Sequence, residues 1–370
     1  MAVSCGILGL PNVGKTTLFN AMTQTTQGAA EAYPFTTIDP NRGRVLLEDE
    51  RLEVIASIMK PENQICADFP VVDIAGLVRG ASRGEGLGNQ FLAHVREMDM
   101  LIHVVRCFFA SHVPHVEGTI SPVRDVEIID TELCMADLEV IERRRQRLAQ
   151  EAKGKTRAAR ANEREGEMLD RFEAWLDTGT PLRRQDLSAE EEQLARALAM
   201  VSAKPVLYAA NLDEGDLLEP SDNEHYASLL EHVRPQASEV VPVSAQICSE
   251  LAVLTQEERD MFMEELGLSR EVLAELSQAV YRTLSLITYF TVNEKEVRAR
   301  SLRAGASALE AAGQIHTDMA RGFIRAEVIS TDQLAEAQSM TVAREKGWVR
   351  LEGKDYRVQD GDILYIRFNV

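Results

Sequence analysis

The stretch Gly9-Leu10-Pro11-Asn12-Val13-Gly14-Lys15-Thr16 dictates what must stand on either side of it. A phosphate-binding loop of this pattern works only between a buried strand and the start of a helix. The apolar run from Ala2 to Leu8 supplies the strand, and Thr17 to Thr23 continues as the helix. In that setting the glycines let backbone N–H groups close around a β-phosphate, Lys15 adds a point charge and Thr16 offers a hydroxyl to Mg²⁺. Asn12, Val13, Gly14, Lys15, Thr16 and Thr17 are therefore candidates for binding a nucleoside triphosphate.

Short apolar or β-branched runs recur at Arg44 to Leu47, Phe69 to Val72, Met100 to Val105, Pro205 to Ala210 and Glu239 to Val243. With the first strand they predict an α/β fold: a six-stranded, mostly parallel sheet covered on both faces by helices. The fourth and fifth of these strands lie about 100 residues apart, too far for one crossover helix. An insertion is expected there. Ile129, Leu133, Ala136 and Val140 recur at helical spacing, as do Met168, Leu169, Phe172, Trp175 and Leu176, with Lys153-Gly154-Lys155 as the turn between them. The result is a projecting helical hairpin.

Its tip is basic. Nine basic residues between Arg143 and Arg164 face only Glu151 and Glu163, a local charge of +7 in a chain whose net charge is −19. Such a patch suits RNA or ribosome phosphates, and it equally suits a solvated helix face. Cys5, Cys66, Cys107, Cys134 and Cys248 are scattered, without a C-x-x-C pair, which argues against a zinc site or a disulfide framework. No secretory signal and no apolar run of roughly 20 residues is present, so a soluble cytoplasmic chain without a membrane span is expected.

After about residue 280 the pattern changes to Thr288–Val292 and Glu296–Leu302 as strands, Ala306–His316 as a helix, and Trp348–Leu351 with Tyr356–Val358 as a strand pair. The last strand is Ile363 to Phe368, giving a small β-grasp domain. The expected boundaries are 1–128 and 199–280 for the nucleotide domain, 129–198 for the helical insertion and 281–370 for the β-grasp domain.

Asp73-Ile74-Ala75-Gly76 ends the third strand, with a carboxylate for Mg²⁺ or its water and the Gly76 N–H for the γ-phosphate. Tyr33 to Pro40 falls where a switch loop belongs, or is a turn built on its threonines. Leu77 stands where Ras-like proteins carry the glutamine that orients the attacking water, so hydrolysis should be slow. Gly80 to Gly88 reads as a second switch. Asn211-Leu212-Asp213-Glu214 occupies the place of the guanine-reading N-K-x-D motif, but with leucine for lysine and a longer carboxylate at Glu214. Guanine readout is compromised and adenine becomes plausible. Ser244-Ala245-Gln246 resembles the S-A-K loop that contacts a base through backbone N–H groups.

GLPNVGKTT, YPFTTIDPN, DIAGLVRGASRGEGLGNQFL, the N-x-x-E at Asn211, IHTDMARGFIRAEVI and RLEGKDYRVQDGDILYIRFNV together resemble the Obg-related translation-factor ATPases of the YchF subfamily. The likeness runs through nearly the whole chain. It implies a G domain, a coiled-coil insertion and a C-terminal TGS domain, with ATP preferred over GTP, slow hydrolysis, and association with the ribosome (large subunit or 70S-type particle) through rRNA at the basic arm. It implies that Thr37 joins Thr16 and Asp73 at Mg²⁺, and that Asn211 and Glu214 read the base. It also implies that His115, in His115-Val116-Glu117-Gly118, assists hydrolysis alongside Lys15, Thr37 and Gly76; His112 competes for that role. Asn12 resembles the asparagine linked in related proteins to K⁺, although a loop-closing asparagine fits as well. The TGS strand departs from the family at Arg298-Ala299-Arg300-Ser301. A monomeric, Mg²⁺-dependent ATPase is expected; a GTP-selective GTPase of the same fold and a non-hydrolysing nucleotide-bound scaffold are the alternatives.

Overall fold

The computed structural model describes residues 3–27, 42–74, 87–151, 156–236, 238–268, 272–293 and 295–369. Thr37, Gly76, Leu77 and the turn Lys153-Gly154-Lys155 lie outside the described residues. The strands are β1 (Cys5–Leu8), β2 (Arg42–Leu47), β3 (Asn63–Ile65), β4 (Ala67–Asp73), β5 (Met100–Arg106), β6 (Val206–Asn211), β7 (Val240–Val243), β8 (Leu286–Val292), β9 (Glu296–Arg303), β10 (Phe323–Ser330), β11 (Arg350–Glu352) and β12 (Asp362–Phe368). They form two sheets.

The first has the order β2-β4-β1-β5-β6-β7, and every pairing from β4 across to β7 is parallel. Strands β1, β5 and β6 are buried along their whole length, which is why they read as unbroken apolar runs rather than alternations. Because β1 lies between β4 and β5, the loop after it opens where the strand order reverses, the position at which such sheets bind ligands. Helix α1 (Lys15–Gln27) leaves that loop, and α2 (Glu50–Met59) and α3 (Leu87–Glu97) follow along the chain.

The insertion is a hairpin of α4 (Pro122–Glu151) and α5 (Thr156–Asp177). Cys134, Ile141 and Leu148 from α4 meet Leu169, Phe172 and Leu176 from α5 in one apolar cluster, which continues through Leu182, Ala195 and Met200. Helix α4 begins at Pro122, upstream of the first apolar stripe, because Ser121 accepts the N–H of Asp125 (3.0 Å) and proline is pre-set for the first helical position. At the base of the hairpin Asp130 lies between Arg183, bonded through Nη2, and Arg184 at 2.7 Å.

The second sheet runs β11-β10-β12-β8-β9-β3, with β12 parallel to β8, β8/β9 an antiparallel hairpin and β10/β12 antiparallel neighbours distant in the chain. Tyr289, Leu302, Ala326, Val328 and Leu364 pack against Ala308 and Ala311 of the helix Ala308–Ile315, the helix-on-sheet arrangement expected of a β-grasp. One expected pairing does not form. Segment 356–358 does not pair with β11; Tyr356 O and Val358 N bond instead to Ala308 N (2.8 Å) and Ala306 O (3.1 Å), while β11 pairs with β10. The turn chemistry at Glu352 to Asp355 was local; the backbone partners are tertiary.

The chain divides into two compact units, 3–43 with 71–276, and 44–70 with 277–370. The second unit thus takes in a stretch that the sequence pattern assigned to the nucleotide domain. Its reason is β3, which pairs in parallel with β9, and α2, whose Arg51 bonds Asp360 at 2.5 Å and lies over the Phe290 ring at 5.6 Å. No disulfide joins the five cysteines, and all but Cys66 are buried. No described helix is long and apolar enough to cross a membrane.

Candidate functional site

The loop between β1 and α1 is built by close approach. Gly9 (φ +150°) has its Cβ position filled by the carbonyl of Val104, and Gly14 (φ +98°) has its own filled by the side-chain amide of Asn211. Neither site admits a side chain. Asn12 takes φ +64°, a conformation asparagine tolerates better than most residues. Val13 is buried, and Thr16 and Thr17 face outward at the head of α1.

Lys15 is only 7 % exposed, and its Nζ donates to the Leu10 carbonyl at 2.7 Å. Burial pulls its pKa down to about 8 although Asp73 acts in the opposite direction. The ammonium is thus held across the loop by one neutral acceptor, ready to be exchanged for a stronger anionic one.

Thr16 and Asp73 are brought together as expected: Thr16 Oγ1 donates to Asp73 Oδ2 at 2.7 Å. The other carboxylate oxygen, Asp73 Oδ1, is buried without a hydrogen-bond partner. An orphaned anionic oxygen beside a hydroxyl is a hard-oxygen set of the kind Mg²⁺ accepts when phosphate and water complete its shell. Among the described residues no cluster of three or more His, Cys, Asp or Glu side chains could hold a metal by itself.

Asn211 does something the motif comparison does not suggest. It is 4 % exposed; its Nδ2 donates to Val13 O (2.9 Å) and its Oδ1 accepts from Ala245 N (2.9 Å). It therefore clamps the phosphate loop to the loop after β7. Two expectations change as a result. The Ala245 N–H is already satisfied by Asn211, so it is not the base contact that the Ser244-Ala245-Gln246 resemblance suggests. Leu212, 2 % exposed, packs into the core and does not present its side chain as a cover for a base. Glu214 is exposed at the start of a 3₁₀ turn (Glu214–Asp216), Ser244 is buried, and Gln246 faces outward and donates to Glu250 (3.1 Å).

His115 is also placed differently from the sequence expectation. Its Nε2 is 2.8 Å from Asp125 Oδ2 and its Nδ1 accepts the Glu117 N–H at 3.1 Å, so the network assigns the proton to Nε2. Arg124 Nη2 holds the other Asp125 oxygen at 2.9 Å. With both nitrogens engaged and a side chain 3 % exposed, His115 pins its own loop to α4 and offers no free nitrogen to water in this conformation. His112 is exposed. The neighbouring Pro114 carbonyl accepts from Asn12 Nδ2 (3.2 Å), linking this loop to the phosphate loop. The amide nitrogen of Asn12 is thereby a loop-closing donor. Arg106 and Asp125, both missed by motif reading, and Asp213, which the N-x-x-E motif contains without a role, shape the same loop; a lone arginine at a strand end carries no signal that separates it from a solvated one.

Arg143, Arg144, Arg145 and Arg164 have acidic partners within the arm and the helix that follows it. Arg144 bonds Glu165 (2.6 and 3.0 Å) and Glu151 (3.3 Å), Arg145 bonds Asp170 and Glu173 (2.5 and 2.7 Å), and Arg164 bonds Glu190 (2.5 Å). Glu139, Glu165, Asp170, Glu173 and Glu190, all outside the basic stretch, stand against four of its nine basic residues.

A family model described as "50S ribosome-binding GTPase" matches residues 4–136, and the C-terminal YchF-GTPase model, described as a protein of unknown function, matches residues 286–369. Ribosome-binding ATPase YchF of Bacillus subtilis is 45 % identical over all of both chains, and its namesake of Escherichia coli O157:H7 is likewise 45 % identical over all of both. The solved structure of the Schizosaccharomyces pombe YchF GTPase superposes with a TM-score of 0.88 at 34 % identity, covering 99 % of this chain and 98 % of that one. A GTP-binding protein from Pyrococcus horikoshii shares the fold at a TM-score of 0.61 and 20 % identity, covering 99 % of this chain and 100 % of its own. Identity of this extent, along the full length and through both the loop at Gly9 to Thr16 and the C-terminal sheet, makes the chain a member of the YchF family.

Proposed function

We propose that the protein is a Mg²⁺-dependent ATPase that works as a ribosome-associated nucleotide switch. The observation that carries the catalytic part is the oxygen pair at Thr16 and Asp73 beside the buried ammonium of Lys15. Lys15 and the loop's N–H groups neutralise charge that develops on the phosphates. Mg²⁺, when bound, would be held by Thr16 and Asp73 and would supply the remaining charge; Thr37 is assigned to the same shell and Gly76 to the γ-phosphate. Leu77 leaves water without a side-chain orienter, which makes the intrinsic reaction slow.

ATP over GTP rests on Asn211-Leu212-Asp213-Glu214. A carboxylate one methylene longer does not fit the paired guanine N–H groups, and Leu212 lacks the lysine stem. The names of the relatives divide between ATPase and GTPase. Competition titration decides: ATP should displace labelled nucleotide at lower concentration than GTP, and equal or tighter GTP binding refutes the reading. Lys15→Ala should abolish turnover; undiminished hydrolysis would sink the site. K⁺ at Asn12 Oδ1 is tested by rates in K⁺ and in Na⁺.

Ribosome association rests on the names of the relatives and on the basic arm. A cytoplasmic location fits that role, and a monomer is the state proposed. Neutralising Arg143 to Arg160 should weaken co-sedimentation with ribosomes and flatten its salt dependence; an unchanged profile assigns those arginines to the arm's own stability.

A further inference from the structure

Arg106 ends β5 and is 2 % exposed, yet its side-chain hydrogen bonds go to neutral acceptors. Nε donates to Phe108 O (3.2 Å), Nη1 to Val113 O (3.0 Å) and Nη2 to Ala110 O (3.4 Å), with the guanidinium over the Phe108 ring at 4.4 Å. Burial lowers its pKa against the opposing pull of Asp213 and Asp125. All three carbonyls belong to one loop, 107–118, which has turns but no helix or strand. The guanidinium replaces the backbone ladder this loop lacks.

The loop is fastened at both ends of the nucleotide site. Toward the base-reading turn, the Phe109 N–H donates to Asp213 Oδ2 (3.2 Å) and the Cys107 N–H to Asn211 O (2.8 Å). Toward the phosphate loop, Pro114 O accepts from Asn12 (3.2 Å). We propose that Arg106 is a positioning residue for nucleotide binding, holding loop 107–118 in the one shape that ties Asp213 to Asn12 and so sets both affinity and base selectivity. Three carbonyls arranged around a plane require a forked donor; a lysine ammonium in the same place is a point charge and cannot span them. The proposal rests on the ATPase reading for its choice of nucleotide.

The test uses the full chain with Arg106→Lys and Asp213→Ala. The second variant cuts the tie at the base end and leaves the guanidinium cage in place. Both should remain folded by cooperative thermal melting, raise the ATP Kd about tenfold or more, and lower the ratio of GTP to ATP Kd. The double variant should be no worse than Arg106→Lys alone, because both act through one loop. A purely structural arginine predicts a lower melting temperature with unchanged Kd and unchanged selectivity in the folded protein; that result overturns the proposal. If Arg106→Lys does not fold, Asp213→Ala decides by itself, and wild-type affinity and selectivity there overturn it equally. Wild-type protein that prefers GTP would instead overturn the ATPase reading, and the same comparison would then be read with GTP.

Discussion

Titration of Lys15 should make nucleotide affinity fall with rising pH in a range where a surface lysine would be silent. Burial lowers its pKa from the usual 10.5 to about 8 in the empty site. A bound triphosphate, bringing opposite charge to the ammonium, restores the higher value. Binding above pH 8 must therefore take up a proton, and the apparent association constant falls as the protonated share of the empty site falls. For a pKa of about 8 that share drops about eightfold between pH 7.5 and 9, about 1.3 kcal/mol of binding free energy. Phosphate groups titrate near pH 6, so the ligand's own charge is constant over this interval. Folding moves the other way: the unfolded lysine keeps its proton up to 10.5, so this group makes the empty fold more stable as pH rises through 8. Lost affinity is then not unfolding. The assay is calorimetric titration with Mg²⁺-ATP in two buffers of different ionisation enthalpy, with Lys15→Arg as the control whose charge does not titrate. A flat wild-type profile, or a slope equally present in Lys15→Arg, would refute the argument.

Three other outcomes are expected. Asp130→Ala leaves Arg183, 6 % exposed, without its counter-charge at the base of the arm, and should cost about 3 to 5 kcal/mol in urea denaturation. Gly14→Ala must both adopt a left-handed φ and overlap the Asn211 amide, whereas Gly118→Ala (φ +77°) meets nothing within 4 Å; the first should lose nucleotide binding, the second only about 1 kcal/mol of stability. Arg144→Ala removes the Glu165 fork and should destabilise the hairpin by about 1 kcal/mol, seen as faster amide exchange in α4 and α5 but not in the parallel sheet.

What could be read from the sequence follows from how local the determinants are. The phosphate loop carries its own context, so strand, turn and helix were legible at once, and the buried strands showed as apolar runs because both faces are covered. The arm was legible from a gap too long for a crossover. Strand β3 was not: Asn63-Gln64-Ile65 is polar and short, and it becomes a strand only because β9 offers an open edge in the second sheet. The misassigned pair at 348–358 has the same origin, since turn chemistry at Gly353 cannot announce that β10 is the better partner. Side-chain direction was invisible throughout. The motif located His115 but not Asp125, the acceptor that turns its ring into a pin.

Asn211 shows what this means for the nucleotide site. A motif names it as a base reader, yet its amide nitrogen holds Val13 O and its oxygen holds Ala245 N. Gly14, whose missing side chain makes room for that amide, belongs to the same contact. Base turn and phosphate loop are therefore bonded directly to each other, and loop 107–118 adds a second tie between them through Asp213 and Asn12. A nucleotide entering such a site finds both ends already set, so little ordering free energy has to be supplied on binding.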